Sequence, residues 1–358
     1  VPAILDELLF KPGLIPADIW LEGAAALRST TFLDNLVSSG AKNKKRSRTS
    51  QSRLRENTGS NPAANPESGD LLRKKVLLII ESEGAVFDSL TTYCEHVYVP
   101  AFTACFSMGQ EPLLCGHIWR QVALESRLRG SSPFVILAAS LRLLNKKHPS
   151  VRRAAIIKTL DVFLASEEKN LLALADSPAG SPSRIITDWY SMTQGAIEKE
   201  PPVQRFAQAQ SFLESLPVAA PSADVLVHST MPEFSALGQW EMAGMGSLFR
   251  KIAGIERGNI LEYLRMVVTN GFDKIPILVV GTTQEAWLAA QSVGARFYPI
   301  IPSREEESWA FLEEVFFPAF MKGTASSVAG DSYEFIRMMT QDLSLATILE
   351  EFENVYLA

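Results

Sequence analysis

The sequence predicts an α/β fold: a parallel sheet with its site at the carboxyl ends of the strands and a long helical insert after the first strand. Three observations lead there. Apolar runs at residues 76–80 ("VLLII"), 223–230 ("ADVLVHST") and 275–283 ("IPILVVGTT") each end in small or polar residues, as buried parallel strands do at a binding edge. Segments with apolar residues at i, i+3, i+4 and i+7 follow these runs, giving the strand–helix alternation of a parallel sheet. Between the first and second runs, residues 88–215 are dominated by helical periodicity, as in "PFVILAASLRLLNKKH" and "VRRAAIIKTLDVFLASEEKNLLALA".

The elements follow in order. Residues 1–40 read as two short helical or extended pieces, punctuated by Pro12-Gly13 and Pro16, with Ile19, Trp20, Ala24, Leu27 and Leu36 as one buried side. Composition then changes. Seven Lys or Arg lie between Lys42 and Arg55, followed by Asn, Pro, Ser and Gly, with almost nothing apolar to bury. Such a stretch is expected to be a solvated tether; contact of 42–55 with nucleic acid is the sharper alternative. After the first strand and the insert, which is interrupted by the loop "DSPAGSPSR", come a helix over 203–216 and the second strand. The helical segments "PEFSALGQWEMAG" and "GNILEYLRMVV" precede the third run, and "QEAWLAAQSVG" precedes a short strand "ARFYPII" and C-terminal helices. The expected division is an N-terminal extension (1–72), a core (73–87 and 216–325), a helical insert (88–215) and a C-terminal helical extension (326–358).

Composition bounds the function. The 358 residues are 47% hydrophobic and 21% charged, ordinary for a globular chain. A net charge of −6 argues against wholesale nucleic-acid binding. No apolar run approaches the roughly 18–20 residues that span a bilayer. Cys94, Cys105 and Cys115 are odd in number and lack a CxxC pair, so they read as reduced packing residues of an intracellular compartment. The chain opens on Val1, which suggests a processed or trimmed N-terminus, and its first residues, with Asp6 and Glu7, show no signal-like apolar core.

Four groups should meet at the carboxyl edge of the sheet: Glu81 and Glu83, Ser229 and Thr230, a base near Arg257, and Gly281-Thr282-Thr283. Here the sequence resembles the haloacid dehalogenase-like (HAD) superfamily, with a helical cap inserted after the first motif. "IIESEGAVFDS" resembles the family's hhhhDxDGTLxDS, "VLVHST" its second-strand motif, and "ILVVGTTQEAWLAAQSVGARFYPI" its hhhhGDxxxDhxAAxxAGA motif. The resemblance spans about residues 74–322 and implies a HAD-like Rossmannoid parallel sheet with a helical cap domain, here carrying an N-terminal extension. It further implies an aspartate nucleophile at position 81, where this chain has Glu81, and an acid/base at 83, where it has Glu83. Ser229, with Thr230 beside it, takes the phosphate-binding hydroxyl position, and Arg257 or Lys251 is the nearest counterpart of the family lysine. The two metal-binding acids of the last motif correspond to Thr282 and Ala286, following Gly281, with Glu285 one residue short of the second.

These departures have physical weight. Glutamate for aspartate moves a carboxylate outward by roughly 1.5 Å, and a misplacement of about 1 Å can cost 10²-fold in rate. Mg²⁺ wants one or two carboxylates beside the phosphate, and Thr282 supplies no charge. The catalytic acids are therefore not kept, the cofactor expectation is none, with Mg²⁺ only if the chain hydrolyses phosphate esters, and Glu81 and Glu83 are vestigial catalytic positions. Simpler roles compete. Asp88 and Ser89 read as the N-cap of the first insert helix, and Ser229 and Thr230 as caps of the helix after Pro232. His96, His117, His148 and His228 lack metal-ligand spacing. No GxSxG and no phosphate-binding glycine loop is present.

The leading expectation is a HAD-like protein without phosphatase activity, a binding or scaffolding subunit that meets protein partners through its N-terminal extension. The alternative is a hydrolase using Glu81 and Glu83 with weak or altered activity, with Glu285 helping to hold a cation. A third is a sensor that binds a phosphorylated ligand without turning it over.

Overall fold

In a computed structural model, the structure describes residues 76–107, 112–166, 171–272, 275–325, 332–340 and 344–356. The expectations for the N-terminal extension and its basic stretch lie outside these residues.

Strand β1 (Val76–Glu81) is buried along its whole length and leads into the helical insert. The insert comprises α1 (Ser89–Tyr93), α2 (Val99–Phe106), α3 (Pro112–Leu124), α4 (Pro133–Lys147), α5 (Val151–Ala165), α6 (Leu171–Ala175) and α7 (Pro182–Ile197). Its helices start where the sequence supplies a cap. Ser132, Ser150 and Ser181 each accept a hydrogen bond from a backbone N–H of the following turn, and Pro133 and Pro182 occupy first-turn positions where no donor is needed.

Helix α8 (Ala207–Ala219) returns the chain to β2 (Ala223–His228), α9 (Glu233–Met242) and β3 (Lys251–Ala253). Then come α10 (Ile260–Val267), β4 (Ile277–Gly281), α11 (Gln284–Ser292), β5 (Arg296–Pro299), α12 (Glu305–Phe311) and α13 (Phe317–Met321). Two more helices close the described chain, α14 (Ser332–Thr340) and α15 (Leu345–Tyr356).

Among the described residues, five strands form one sheet in the order β3-β2-β1-β4-β5, and each pair of neighbouring strands is parallel. Alternation along β1 feeds two layers. Val76, Leu78 and Ile80 pack with Phe212, Trp240 and Trp309 on one face, while Leu77 and Ile79 pack with Tyr263, Leu264 and Ala289 on the other. That is why the strand reads as an unbroken apolar run. Strand β3 was not anticipated; its three residues are too few to carry a period.

The insert has its own core, built around Phe102, Phe106, Trp119, Phe134 and Trp189. Helix α8 does not belong to it. Its Ala209, Phe212, Leu213 and Leu216 pack with β1, so the expected insert boundary at 215 runs through a helix of the sheet layer. The C-terminal helices divide their contacts. Phe335 and Met339 of α14 pack with Ile301 beside β5, whereas Ile348 of α15 is buried in the insert's core.

Candidate active site

The sheet order puts β1 at the centre, so the loops after β2 and β4 flank its carboxyl end. The segment following β1 folds back tightly. Val86 and Phe87 donate backbone N–H groups to the Ser82 carbonyl, and Gly84 turns at φ +73, where a Cβ would fall 2.5 Å from Leu90 Cδ1 and 2.9 Å from Thr282 Cγ2. Trp240 Nε1 donates to Ser82 Oγ at 3.0 Å, and Trp309 Nε1 to the Ala85 carbonyl at 2.7 Å, fixing this turn to the core. Glu81 and Glu83 are thereby held on neighbouring sides of one edge.

Each glutamate is met by one flanking loop. Glu81 accepts three hydrogen bonds from the β4 loop: from Thr282 N at 2.8 Å, Thr283 N at 3.2 Å and Thr283 Oγ1 at 2.6 Å. Glu83 accepts three from the β2 loop: from Ser229 Oγ at 2.7 Å, Thr230 N at 2.8 Å and Thr230 Oγ1 at 3.1 Å. The extra methylene of glutamate lets the Glu81 carboxylate curl over Gly281, where a Cβ would sit 2.4 Å from its Oε2. A side chain at 281 would push Glu81 out of this position.

Burial sets the protonation chemistry. Loss of solvent pushes Glu81 up to about 7, against the pull of its Thr283 and Thr282 donors. Burial also raises Glu83, and it raises Glu285 to about 8 with the Glu81 charge adding to it. His228, at the end of β2, is buried with Nε2 3.3 Å from the Gly258 carbonyl, and desolvation lowers it to about 4.

A cavity of about 30 Å³ lies between these groups, lined among others by Glu81, Glu83, His228, Thr230, Thr283 and Glu285. That is room for about two waters, far below the ~300 Å³ or more of ordinary small-molecule pockets.

The cap contributes a residue that sequence reasoning missed. Arg129, only 2% exposed, enters from the turn between α3 and α4. Its Nε donates to Thr282 Oγ1 at 2.9 Å, its Nη1 to the Leu124 carbonyl at 3.1 Å, and its Nη2 lies 3.7 Å from Glu305 Oε1. Burial lowers its pKa, with Glu305 opposing the shift. Gly130 follows at φ +75, a Cβ there falling 2.7 Å from Thr283 Cγ2. "SRLRG" inside a helical insert matches no motif, so only the three-dimensional contact reveals these two residues.

Other expected residues fall differently. Ser229 and Thr230 do not cap the helix after Pro232, whose N-cap position is Pro232 itself; their hydroxyls go to Glu83. Asp88 occupies the N-cap position of α1 but makes no side-chain cap hydrogen bond. Thr283 is the N-cap of α11, accepting from Ala286 N at 3.1 Å. Arg257, expected at the phosphate, is on an exposed turn where its Nε lies 3.5 Å from Glu233 Oε2, and it does not line the cavity. The turn is drawn toward α9 because Gly254 lets the Glu233 backbone approach, a Cβ there meeting Glu233 N at 2.1 Å. Lys251 is the exposed first residue of β3.

The Mg²⁺ that the resemblance implies does not fit this donor set. Both Glu81 oxygens accept hydrogen bonds from the β4 loop, and positions 282 and 286 are a threonine and a buried alanine. Among the described residues, no group of three or more His, Cys, Asp or Glu is placed to hold a metal ion, although Glu81, Glu83 and Glu285 share the cavity. No helix of the described residues is long and apolar enough to cross a membrane.

No family model matches the sequence, and no curated protein matches it either. Solved structures do. A predicted phosphoglycolate phosphatase from Haemophilus somnus is 14% identical over 66% of this chain and 92% of its own, with a TM-score of 0.39. A haloacid dehalogenase-like family hydrolase from Xanthomonas campestris is 13% identical over 76% of this chain and 99% of its own, at 0.38. The L-2-haloacid dehalogenase of Xanthobacter autotrophicus is 12% identical over 67% and 83%, at 0.30. These low scores carry no argument; a parallel sheet with a helical insert directly after its first strand is the arrangement that the sequence resemblance implies.

Proposed function

We propose that this chain is a HAD-like protein that does not turn over phosphate esters and serves as a binding or scaffolding subunit of a larger assembly. One observation carries the non-catalytic reading: the two loops that would hold a phosphoryl group and its metal spend their donors on the chain's own Glu81 and Glu83. In-line phosphoryl transfer depends almost wholly on positioning and charge neutralisation. To attack phosphorus, Glu81 would have to leave three donors, two of them buried backbone amides, each costing about 1–3 kcal/mol when left unpaired. A phosphate dianion arriving there would meet three carboxyl groups, Glu81, Glu83 and Glu285, and a threonine and an alanine at the positions of the metal-binding acids. The scaffolding part of the reading rests on the extension 1–72, apolar at one end and basic in the middle, which suits wrapping a protein partner.

A second reading has its own support. A carboxyl pushed to about 7, as Glu81 is, titrates where acid–base catalysis operates, and this favours a hydrolase of altered chemistry using Glu81 and Glu83. Hydrolysis of a generic aryl phosphate, with and without Mg²⁺, separates the two. The non-catalytic reading expects no metal-dependent turnover above background. Robust turnover that disappears in Glu81→Gln would establish the hydrolase instead. Recovery of the native protein alone, with no larger complex, would remove the scaffolding part.

A further inference from the structure

We infer that the helical cap is latched shut on the core by two separate ties, one made by the Arg129 turn and one by the C-terminal helices α14 and α15. This concerns the motion of the cap rather than chemistry in the cleft, and goes beyond the function proposed above.

The covalent connection alone would leave the cap free to swing. The chain enters and leaves the insert side by side: Asp88 N donates to the Gln204 carbonyl at 2.9 Å, Phe206 N to the Val86 carbonyl at 2.9 Å, and Phe87 pairs with Arg205. Two adjacent, hydrogen-bonded connections of this kind form a hinge. Any swing about it must break whatever else joins cap to core.

The first tie closes over the β4 loop. Arg129 and Glu305 are both buried, one from the insert and one from the start of α12, and Arg129 Nε bonds Thr282 directly. The backbone behind the guanidinium is pressed against the same loop. At Gly130 a side chain would collide with Thr283, so only glycine permits the approach, by space and by its positive φ. A glycine contact and a buried arginine from consecutive residues describe a fitted surface, which a loosely resting cap would not need.

The second tie uses different residues and different elements. Helix α14 is fixed to the core: Phe335 and Met339 pack with Ile301, against Trp287 and Phe297, and Gln284 Nε2 donates to the Met339 carbonyl at 3.0 Å. Helix α15, which begins at Leu345, is fixed to the cap. Ile348 is 1% exposed within the insert's core, His117 Nε2 lies 3.1 Å from the Ile348 carbonyl, and the His117 ring packs against Phe352 and Tyr356. The last two helices therefore span from sheet layer to cap as a strap. Opening the cap would pull α15 from the insert or α14 from the core.

Amide hydrogen exchange on the full chain tests this without reference to turnover. The reporters are the Thr282 and Thr283 amides, which sit under the Arg129 turn; the Leu78 and Ile79 amides of β1 report the core. With the latch intact, the Thr282 and Thr283 amides exchange as slowly as those of β1. Ile348→Asp, whose site contacts the insert and not the β4 loop, speeds Thr282 and Thr283 by about tenfold or more while β1 is unchanged. Arg129→Met, which keeps bulk and removes the polar tie, does the same. If Ile348→Asp melts the cap, seen as fast exchange of Leu141 and Leu143 in α4, the Arg129→Met result decides alone. Rapid exchange of Thr282 and Thr283 in the unmodified protein, or wild-type rates in a variant whose cap stays folded, overturns the latch. Either outcome leaves the aryl phosphate result standing on its own.

Discussion

The loops after β2 and β4 offer the same kit, backbone N–H groups and hydroxyls turned toward a glutamate, yet they differ in what lies over them. The β4 loop is sealed: Thr282 and Thr283 are buried under Arg129 and Gly130 of the cap. The β2 loop is half open, with Thr230 exposed and Glu83 only partly buried. Equal donor counts therefore do not mean equal energies. A hydrogen bond to a carboxylate in a dry, low-dielectric setting is stronger, and its loss more costly, than one shared with water. The difference assigns Glu81 the greater structural part and leaves Glu83 as the acid that solvent can reach.

The largest break should come from Glu81→Ala, which strands three buried donors of the β4 loop. A loss of about 2–4 kcal/mol in unfolding free energy is expected from urea denaturation. Thr283→Val removes one hydrogen bond to Glu81 and the N-cap of α11 without changing volume, so about 1–2 kcal/mol is expected by the same method. Thr230→Val on the open side should stay within ~0.5 kcal/mol of wild type, because water replaces what is lost. If the two threonine variants cost the same, the contrast between the loops is wrong.

Protonation sharpens the comparison. A carboxyl whose pKa is higher in the folded than in the unfolded chain binds its proton more tightly when folded. Its contribution is full at low pH and is lost as pH rises toward the folded value. Glu81 at about 7 and Glu285 at about 8 thus lower stability progressively above about 4.5. His228, lowered to about 4, acts oppositely up to about 6.5, its unfolded value. The decline should be plainest between pH 6.5 and about 8, where the glutamates titrate and His228 does not. Urea midpoints across that range should fall, and Glu285→Gln should flatten the upper part. A rising midpoint would contradict the burial of these acids.

Much of this was legible beforehand because strands buried on both faces leave unbroken apolar runs, and Val76 to Ile80 is one. The sequence points to Glu81, Glu83, Ser229, Thr230 and the Gly281–Thr282–Thr283 turn, since strand ends in a parallel sheet must converge. Their partners were not legible. Whether Ser229 caps a helix or bonds Glu83 turns on a rotamer, and the capping reading was wrong. Arg257 is the nearest base in sequence, while Gly254 lets its turn close on α9, where Arg257 meets Glu233 instead of the cavity. Arg129 lies 152 positions before Gly281 in a helical stretch without a motif, so nothing local connects it to the β4 loop. Helix α15 packs on the cap through Ile348, a long-range choice that an amphipathic pattern cannot specify.

The central claim is that Glu81 is an internal clamp, its length matched to the β4 loop. The most direct test is the unfolding free energy of Glu81→Asp. Shortening the side chain by one methylene withdraws the carboxylate from the Thr282 and Thr283 donors, although aspartate is the residue the resemblance places there for catalysis. The account predicts a loss of about 1–3 kcal/mol in urea denaturation at neutral pH. Stability equal to or above that of the wild type would mean that the β4 loop does not depend on Glu81, and would contradict it.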